Sequence, residues 1–138
     1  KLIRPKFIFM GEKDFQQLYL VNLFFSKKYK SKIIPCRTIR DKNFFALSSR
    51  NKLLSSRGRN LGGLIAKYCF NLKSQIDSTH KTHLLLKSKK KIMESKFNIK
   101  IDYLELRNIK NLNQKLVKKN YKIFIAYFIN KIRLIDNF

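Results

Sequence analysis

The feature that most constrains the fold is the segment 5–10, which ends in the continuously apolar residues 7–10 and stops at Gly11. A continuously apolar stretch is typical of a strand buried on both faces of a parallel sheet. Residues 14–28 then carry apolar side chains around most of a helix, which ends in two lysines, as the helix dipole favours. The next segment, residues 32–39, is predicted as a second strand. The order strand, helix, strand predicts a βαβ unit with a ligand crevice at the carboxyl ends of its strands.

The pattern changes in the second half of the chain, where two helices are followed by short strands. From Ile99 the apolar residues alternate with polar ones, which is typical of a half-buried strand. We expect a small α+β module with an antiparallel sheet, joined to the βαβ unit near residues 70–75. Its predicted elements are helices over 56–72 and 74–97 and strands over 99–103, 121–129 and 132–135, the last two joined by a tight turn at Asn130 and Lys131.

The net charge of +24 raises the question of a nucleic-acid partner. The chain has 24 Lys and 8 Arg, whereas reading of base edges and bidentate phosphate binding favour the planar guanidinium of Arg. An excess of Lys, Asn, Ile and Phe is also what an AT-rich genome encodes. The composition therefore favours genomic drift over nucleic-acid binding, and a small basic nucleic-acid-binding protein remains the alternative class.

The residues that could bind a metal or form disulfides are sparse. Cys36 and Cys69 stand in no ligand-like spacing, so neither a zinc site nor a disulfide framework is predicted, and a reduced, cytoplasmic setting fits. His80 and His83 form an HxxH pair without a third ligand nearby, which indicates two exposed histidines and no metal site. The longest apolar run, 123–129, is too short to span a bilayer.

The string GEKDFQQL follows the first predicted strand. Gly11 allows a ligand to approach the backbone, Lys13 offers an ammonium to phosphate oxygens, and Asp14 can accept from ribose hydroxyls or cap the helix, whose N-terminus favours anions. Gln16 and Gln17 add amides that donate and accept. Taken alone, this string is more often a charged first turn with solvent-facing glutamines.

The string ALSSRN follows the second predicted strand. Ser48 and Ser49 supply hydroxyls, and Arg50 provides a fork that matches a phosphate bidentately. Taken alone, this string is more often a helix cap followed by a surface arginine. The βαβ order changes the balance, because it is expected to bring both loops to the same edge of the sheet.

In this order and context the two strings resemble the pantoate-beta-alanine ligase family. The QQL helix, a second strand with a Pro and an Arg, and the ending RLIDN at residues 133–137 match the family too. The resemblance covers essentially the whole chain and corresponds to the C-terminal half of the family. It implies an α/β fold: the C-terminal part of a Rossmann-like parallel-sheet domain, residues 1–72, followed by a small α+β lid domain with a short antiparallel sheet, residues 73–138.

The resemblance implies an ATP-dependent ligase of the nucleotidyltransferase superfamily. Pantoate attacks the α-phosphorus of ATP, pyrophosphate leaves, and the amine of β-alanine displaces AMP from pantoyl adenylate to give pantothenate, in coenzyme A biosynthesis. Mg²⁺ accompanies the ATP, and the full-length enzyme is a homodimer. By match to the motifs, Lys13 and Arg50 stabilise the transition state and Gln17 binds pantoate. The implied ATP-binding residues are Gly11, Glu12, Lys13, Asp14, Ile39, Leu47, Ser48, Ser49 and Arg50.

The chain departs from the family pattern in three ways. The HxGH histidine motif of the family is absent, Phe44 stands where relatives usually have Gly, and the second strand is one residue short with its Pro displaced. The chain also begins at Lys1 without a Met. We therefore expect a fragment that does not make pantothenate by itself, and a decayed, non-catalytic remnant remains a further alternative.

Overall fold

The computed structural model describes residues 3–77, 82–114 and 120–138. The chain divides into two compact units, one ending at Ile39, the first unit, and the other spanning Arg40–Phe138, the second unit. This division falls earlier in the chain than the predicted domain boundary at residue 72. That boundary, which concerns the domains of the whole enzyme, stays a prediction.

The first unit is the predicted βαβ unit. Strands β1 and β2 pair in parallel over their whole lengths. Helix α1 supplies the crossover that a parallel pair requires. The elements are β1 (Phe7–Gly11), a 3₁₀ turn (Glu12–Asp14), α1 (Phe15–Lys28) and β2 (Lys32–Cys36).

Two expectations for this unit are wrong. Strand β2 ends at Cys36 and not at residue 39, because its pairing partner β1 ends at Gly11. Strand β1 is not buried on both faces: Phe7 and Phe9 are exposed and alternate with half-buried neighbours. The described sheet of this unit has two strands, and two strands with one helix do not cover both faces of a sheet.

The second unit contains two helices and a three-stranded antiparallel sheet of order β3-β4-β5. The predicted turn between its last two strands is confirmed, and Asn130 adopts the left-handed conformation there, with φ 55°. The elements are a 3₁₀ turn (Ser49–Leu53), α2 (Ser56–Asp77), α3 (Thr82–Phe97), β3 (Lys100–Asn108), β4 (Tyr121–Ile129) and β5 (Ile132–Asn137).

Several element bounds differ from the prediction. Helix α2 continues past residue 72 to Asp77, because no Gly or Pro interrupts that stretch. Helix α3 begins at Thr82 and not at residue 74; residues 78–81 of the predicted helix lie outside the described residues. Strands β3 and β5 are longer than predicted. After a register shift between Ile101 and Tyr103, β3 goes on with Leu104 and Leu106 as its buried positions.

The core of the second unit lies where α2 and α3 pack on the sheet. Its most deeply buried side chains come from both helices and from the central strand β4, as expected when helices cover one face of an antiparallel sheet. They include Ile65, Leu72, Met93, Ile123, Ile125 and Tyr127. None of the helices in the described ranges is both long and apolar enough to cross a membrane.

Candidate functional site

The first candidate loop follows β1 in the first unit. Gly11 has extended backbone, φ −69°, and a Cβ placed on it would meet nothing within 4 Å. Neither backbone conformation nor packing among the described residues therefore requires glycine here. What this glycine provides is open space next to the strand end, as a site for a large ligand needs.

The charged residues of this loop form a 3₁₀ turn ahead of α1. Lys13 Nζ lies 3.7 Å from Asp14 Oδ2, and the Lys13 side chain is mostly buried whereas that of Asp14 is half exposed. Asp14 is the N-cap of α1 but makes no side-chain capping bond. One cation thus lies beside the amides that open α1, and both attract an anion.

Two further predicted binding residues also belong to the first unit. Gln17 lies in the first turn of α1 and is exposed. Ile39 was predicted at the end of the second strand, but it follows Cys36, the last residue of β2, by three positions and is exposed. The predicted contact of its backbone with adenine stays a prediction.

The second candidate loop is the 3₁₀ turn of Ser49–Leu53 in the second unit. Ser48 caps this turn: its Oγ accepts from the Arg50 amide at 3.3 Å, and its carbonyl accepts from the Asn51 amide at 3.0 Å. Leu47, Ser49 and Arg50 are exposed. Within the ranges that the structure describes, Arg50 makes no ion pair, so its guanidinium is available for an anion.

A tight hairpin at residues 40–46 supports this turn. Arg40 and Ala46 pair as an isolated antiparallel bridge, and Asp41 Oδ1 accepts from the amides of Asn43 at 2.8 Å and Phe45 at 3.0 Å. Asn51 Nδ2 donates to the Ala46 carbonyl at 3.0 Å, which ties the turn to the hairpin. Sequence reasoning passed over Asn51, although it belongs to the ALSSRN string.

The hairpin also packs on α2, where two glycines make room for it. A Cβ on Gly62 would lie 2.6 Å from the Phe45 ring, and one on Gly63 would lie 2.6 Å from the Asn43 carbonyl oxygen. Phe44 has φ 70°, in the left-handed region that favours glycine. This conformation gives a physical reason for the Gly that the family usually has at this position.

The two candidate loops belong to different compact units, and their predicted position at one sheet edge stays a prediction. The metal-ligand residues give no alternative site. His80 lies outside the described residues, and His83, in the first turn of α3, is exposed, as predicted. Across the described ranges, no group of three His, Cys, Asp or Glu residues could hold a metal ion.

Comparison with known proteins decides the family. The family model of pantoate-beta-alanine ligase matches residues 1–138. The chain belongs to the pantoate-beta-alanine ligase family. The predicted resemblance is thereby confirmed, and so is the mixed α/β fold that it implied.

The curated relatives of the chain include pantothenate synthetases and a bifunctional pantoate ligase. A pantothenate synthetase from Flavobacterium psychrophilum is 34% identical and is matched over 99% of this chain and 50% of its own length. A bifunctional pantoate ligase/cytidylate kinase from Prochlorococcus marinus is 41% identical, over 99% of this chain and 27% of its own length. The chain thus spans about half the length of the pantothenate synthetases it matches, or less for the bifunctional protein.

Solved structures of the family share the fold. The pantothenate synthetase of Thermus thermophilus superposes with a TM-score of 0.86 at 24% identity, over 99% of this chain and 50% of its own. The pantoate-beta-alanine ligase of Francisella tularensis gives a TM-score of 0.70 at 32% identity, over 98% and 44%. The latter was crystallised with beta-gamma ATP and beta-alanine.

Proposed function

We propose that this chain supplies the C-terminal half of an ATP-dependent ligase that joins pantoate to β-alanine through a pantoyl-adenylate intermediate. The observation that carries the proposal is the Ser48-capped turn, which exposes Arg50 in a chain that matches the family over residues 1–138. A family member crystallised with an ATP compound and β-alanine supports the assignment of substrates.

The loop after β1 takes the nucleotide in this proposal. Gly11 leaves space for the ligand, and Lys13 neutralises phosphate charge beside the start of α1. Glu12 and Asp14 line the same site. Gln17, exposed in the first turn of α1, donates from its amide nitrogen to the carboxylate of pantoate and accepts from a pantoate hydroxyl with its amide oxygen.

The turn of the second unit takes the β- and γ-phosphates. The Arg50 fork binds two phosphate oxygens at once, and the Ser49 hydroxyl donates to another. Leu47 borders this phosphate site, and Ile39 meets adenine through its backbone. As pyrophosphate leaves, Arg50 holds the negative charge that develops on it, an electrostatic contribution of the kind that dominates many enzymatic rate enhancements.

The reaction needs no covalent nucleophile of the protein. The pantoate carboxylate oxygen attacks the α-phosphorus and the bond to pyrophosphate breaks. The β-alanine amine then attacks the acyl carbon, AMP leaves with the bonding electrons, and the nitrogen loses a proton to water. Both steps depend on positioning and on charge neutralisation. Lys13 and Arg50 are the side chains that supply the charge.

The candidate loops do not fit a Mg²⁺ site of the protein's own. Their exposed cation is Arg50, Lys13 lies next to Asp14, and the described residues lack a carboxylate cluster for a metal. The steps above are therefore assigned to side chains and not to a metal held by this chain. Mg²⁺ bound to ATP, a homodimeric full-length enzyme and a cytoplasmic location are further parts of the proposal, carried by the family resemblance.

Calorimetric titration of the purified chain with ATP in about 150 mM salt, where the Debye length is about 8 Å, tests the site. Because a chain with +24 net charge attracts any polyanion, tripolyphosphate is titrated in parallel. We expect one ATP per chain, and an Arg50→Lys variant, which keeps the charge but loses the fork, binds ATP about tenfold more weakly.

A matched control is Arg57→Lys, which changes an exposed arginine of α2 in the same unit. We expect this variant to bind ATP within about twofold of the unaltered chain. Equal weakening by both substitutions, or binding that disappears at physiological salt together with that of tripolyphosphate, would show simple polycation behaviour and refute the proposed site.

A further inference from the structure

Arg40 joins the last strand of the second unit to the hairpin that supports the Ser48–Arg50 turn. Its guanidinium donates two hydrogen bonds to Asp136, Nη1 to Oδ2 at 2.7 Å and Nη2 to Oδ1 at 2.9 Å. Nη2 also donates to the Asn137 carbonyl at 3.1 Å, and Nη1 to the Phe44 carbonyl at 3.0 Å. One side chain thus binds both ends of the unit.

The surroundings fix this guanidinium in one orientation. The Arg40 side chain is 15% exposed and that of Asp136 is 4% exposed. The rings of Phe70 and Phe138 lie on the guanidinium, with Cζ 5.1 Å and 4.7 Å from their centroids. A planar cation that stacks on rings and binds a carboxylate with its fork cannot be replaced by the point charge of Lys without loss of contacts.

A short chain of bonds leads from Arg40 to the turn. The backbone of Arg40 pairs with Ala46 across the hairpin, and its side chain binds the Phe44 carbonyl inside the hairpin. The Ala46 carbonyl accepts the side-chain amide of Asn51, which lies in the turn of Ser49–Leu53. Displacement of Arg40 therefore shifts the segment that Asn51 is tied to.

We propose that Arg40, held by Asp136, is a positioning residue that fixes the Ser48–Arg50 turn for the triphosphate. This inference rests on the proposed function. It also gives the C-terminal string RLIDN a role, because Asp136 and Asn137 of that string provide the carboxylate and the carbonyl that hold Arg40. Arg40 touches no reacting group in this scheme and acts through the hairpin.

The test uses Arg40→Lys and Asp136→Asn in the whole chain, with Arg133→Lys as the matched control. Arg133 forms an ion pair with Asp102 at 2.8 Å in the same unit, but this pair is exposed and neither partner contacts the hairpin or the turn in the described structure. The two arginine substitutions make the same chemical change. They differ in whether the ion pair is connected to the turn.

Affinities for ATP and for AMP are measured at a temperature at which circular dichroism shows every variant folded. We expect Arg40→Lys and Asp136→Asn to weaken ATP binding about tenfold and to change AMP binding less than about twofold, because AMP lacks the β- and γ-phosphates that the turn binds. Arg133→Lys leaves both affinities nearly unchanged. General destabilisation would weaken both nucleotides together, and that result, like unchanged ATP affinity in Arg40→Lys, overturns the inference.

A second readout separates this inference from the proposed function. Amide signals of residues 47–51 are compared by two-dimensional NMR in the unliganded chain. If the unaltered chain binds no ATP, the proposed function fails for this chain. The amide signals of residues 47–51 then still test whether Arg40 sets the conformation of the turn. Shifts in Arg40→Lys that are absent in Arg133→Lys support the role of Arg40 in setting the turn, and unchanged signals refute it.

Discussion

The two compact units differ in how they bury their apolar side chains. The second unit closes a core in which Ile65, Ile123 and Ile125 have no exposed surface. In the described part of the first unit, the buried hydrophobic residues are Leu18 and Ile33, whereas Phe9 is 69% exposed. Both units are rich in Ile, Leu and Phe, so composition does not explain the difference.

The topologies of the two units explain the difference in how far their apolar side chains are buried. An antiparallel sheet with helices on one face forms a complete two-layer core within one stretch of chain. A βαβ unit has a sheet with two faces and two edges, and a single helix covers a fraction of them. A sequence with the same apolar content therefore forms a closed core in one arrangement and leaves apolar side chains exposed in the other.

The largest expected effect comes from truncating one leucine in each unit. Leu72 in α2 is 1% exposed and belongs to the core, and Leu20 in α1 is 60% exposed. Leu72→Ala should lower the unfolding free energy by about 2–5 kcal/mol, and Leu20→Ala by less than about 0.5 kcal/mol. Both sites are helical, so the change in helix propensity is shared. Urea unfolding followed by circular dichroism measures the difference, and equal losses would contradict the comparison.

Glycine substitutions test the same contrast in packing. Gly63→Ala should destabilise the second unit by about 1–3 kcal/mol, although Ala favours helices, because the new Cβ meets the Asn43 backbone oxygen at 2.6 Å. Gly11→Ala in the first unit should change stability by less than about 0.5 kcal/mol, because its surroundings are open and its φ suits any residue.

Gly58→Ala is the control for the glycine pair. It lies in the same helix as Gly63, but its Cβ would meet neighbours at 3.4 Å, an ordinary contact. We expect unchanged or slightly higher stability, by up to about 1 kcal/mol. Thermal unfolding measures all three variants. A loss in Gly58→Ala as large as that in Gly63→Ala would show that crowding by Asn43 is not the cause.

The sequence predicts the parts of the fold that depend on local pattern. The βαβ order, the start of α2 at Ser56, strand β4 and the Asn130 turn follow from apolar periodicity and turn chemistry, and all are confirmed. The candidate loops were found in the same way, as strings at strand ends. The limit of β2 is wrong because local pattern does not show where a paired strand ends, which depends on its partner.

Long-range contacts were beyond the reach of such patterns. Arg40 and Asp136 are 96 positions apart, and nothing in either local string indicates that they pair. The exposure of β1 likewise depends on what covers the sheet, which the residues of β1 do not encode. The sequence shows that Phe44 departs from the family pattern, but the physical reason is seen only in its φ, which lies in the left-handed region.

The reactivity of the two cysteines tests the difference in burial between the two units. Cys36 in the first unit is exposed and Cys69 in the second unit is buried. We expect Cys36 to react at once with a thiol reagent, and Cys69 to react at the rate of unfolding. A fast reaction of both thiols in the folded protein would show that the core of the second unit opens readily.

Burial also makes the stability of the second unit sensitive to alkaline pH. Burial raises the pKa of the Cys69 thiol far above its usual range, and the nearby Asp136 carboxylate raises it further. Because the folded pKa is the higher one, stability is fully present below the unfolded pKa, about 8.5, and is lost as pH rises above it. The expected loss approaches about 1.4 kcal/mol per pH unit.

The effect of Cys69 is isolated by comparing the unaltered chain with Cys69→Ala between about pH 8 and 10, which brackets the usual thiol pKa. The difference in unfolding free energy between the two should change with pH, whereas Cys36→Ala should leave the pH dependence of the unaltered chain in place. Tyr127, whose pKa burial raises well above its usual value of about 10, is present in every variant and contributes mainly above that range. A constant difference would show that Cys69 ionises in the folded protein.

The smallest expected effect concerns backbone strain at Phe44, which the packing of the second unit holds at φ 70°. The Phe44 ring lies edge-on to Phe70 at 5.9 Å, and Lys67 Nζ lies 5.5 Å from its centroid. Phe44→Ala and Phe44→Gly both remove these contacts, but only glycine relieves the left-handed strain, so the glycine variant should be more stable than the alanine variant by about 1 kcal/mol. At Asn71, an exposed position of α2, the same pair of substitutions should give the opposite order by about 1 kcal/mol, because glycine disfavours a helix. Chemical denaturation of the four variants measures the difference in unfolding free energy between glycine and alanine at each position. If alanine is the more stable residue at both positions, the hairpin has relaxed out of the left-handed conformation. The second unit would then not impose strain on position 44, contrary to what its closed core predicts.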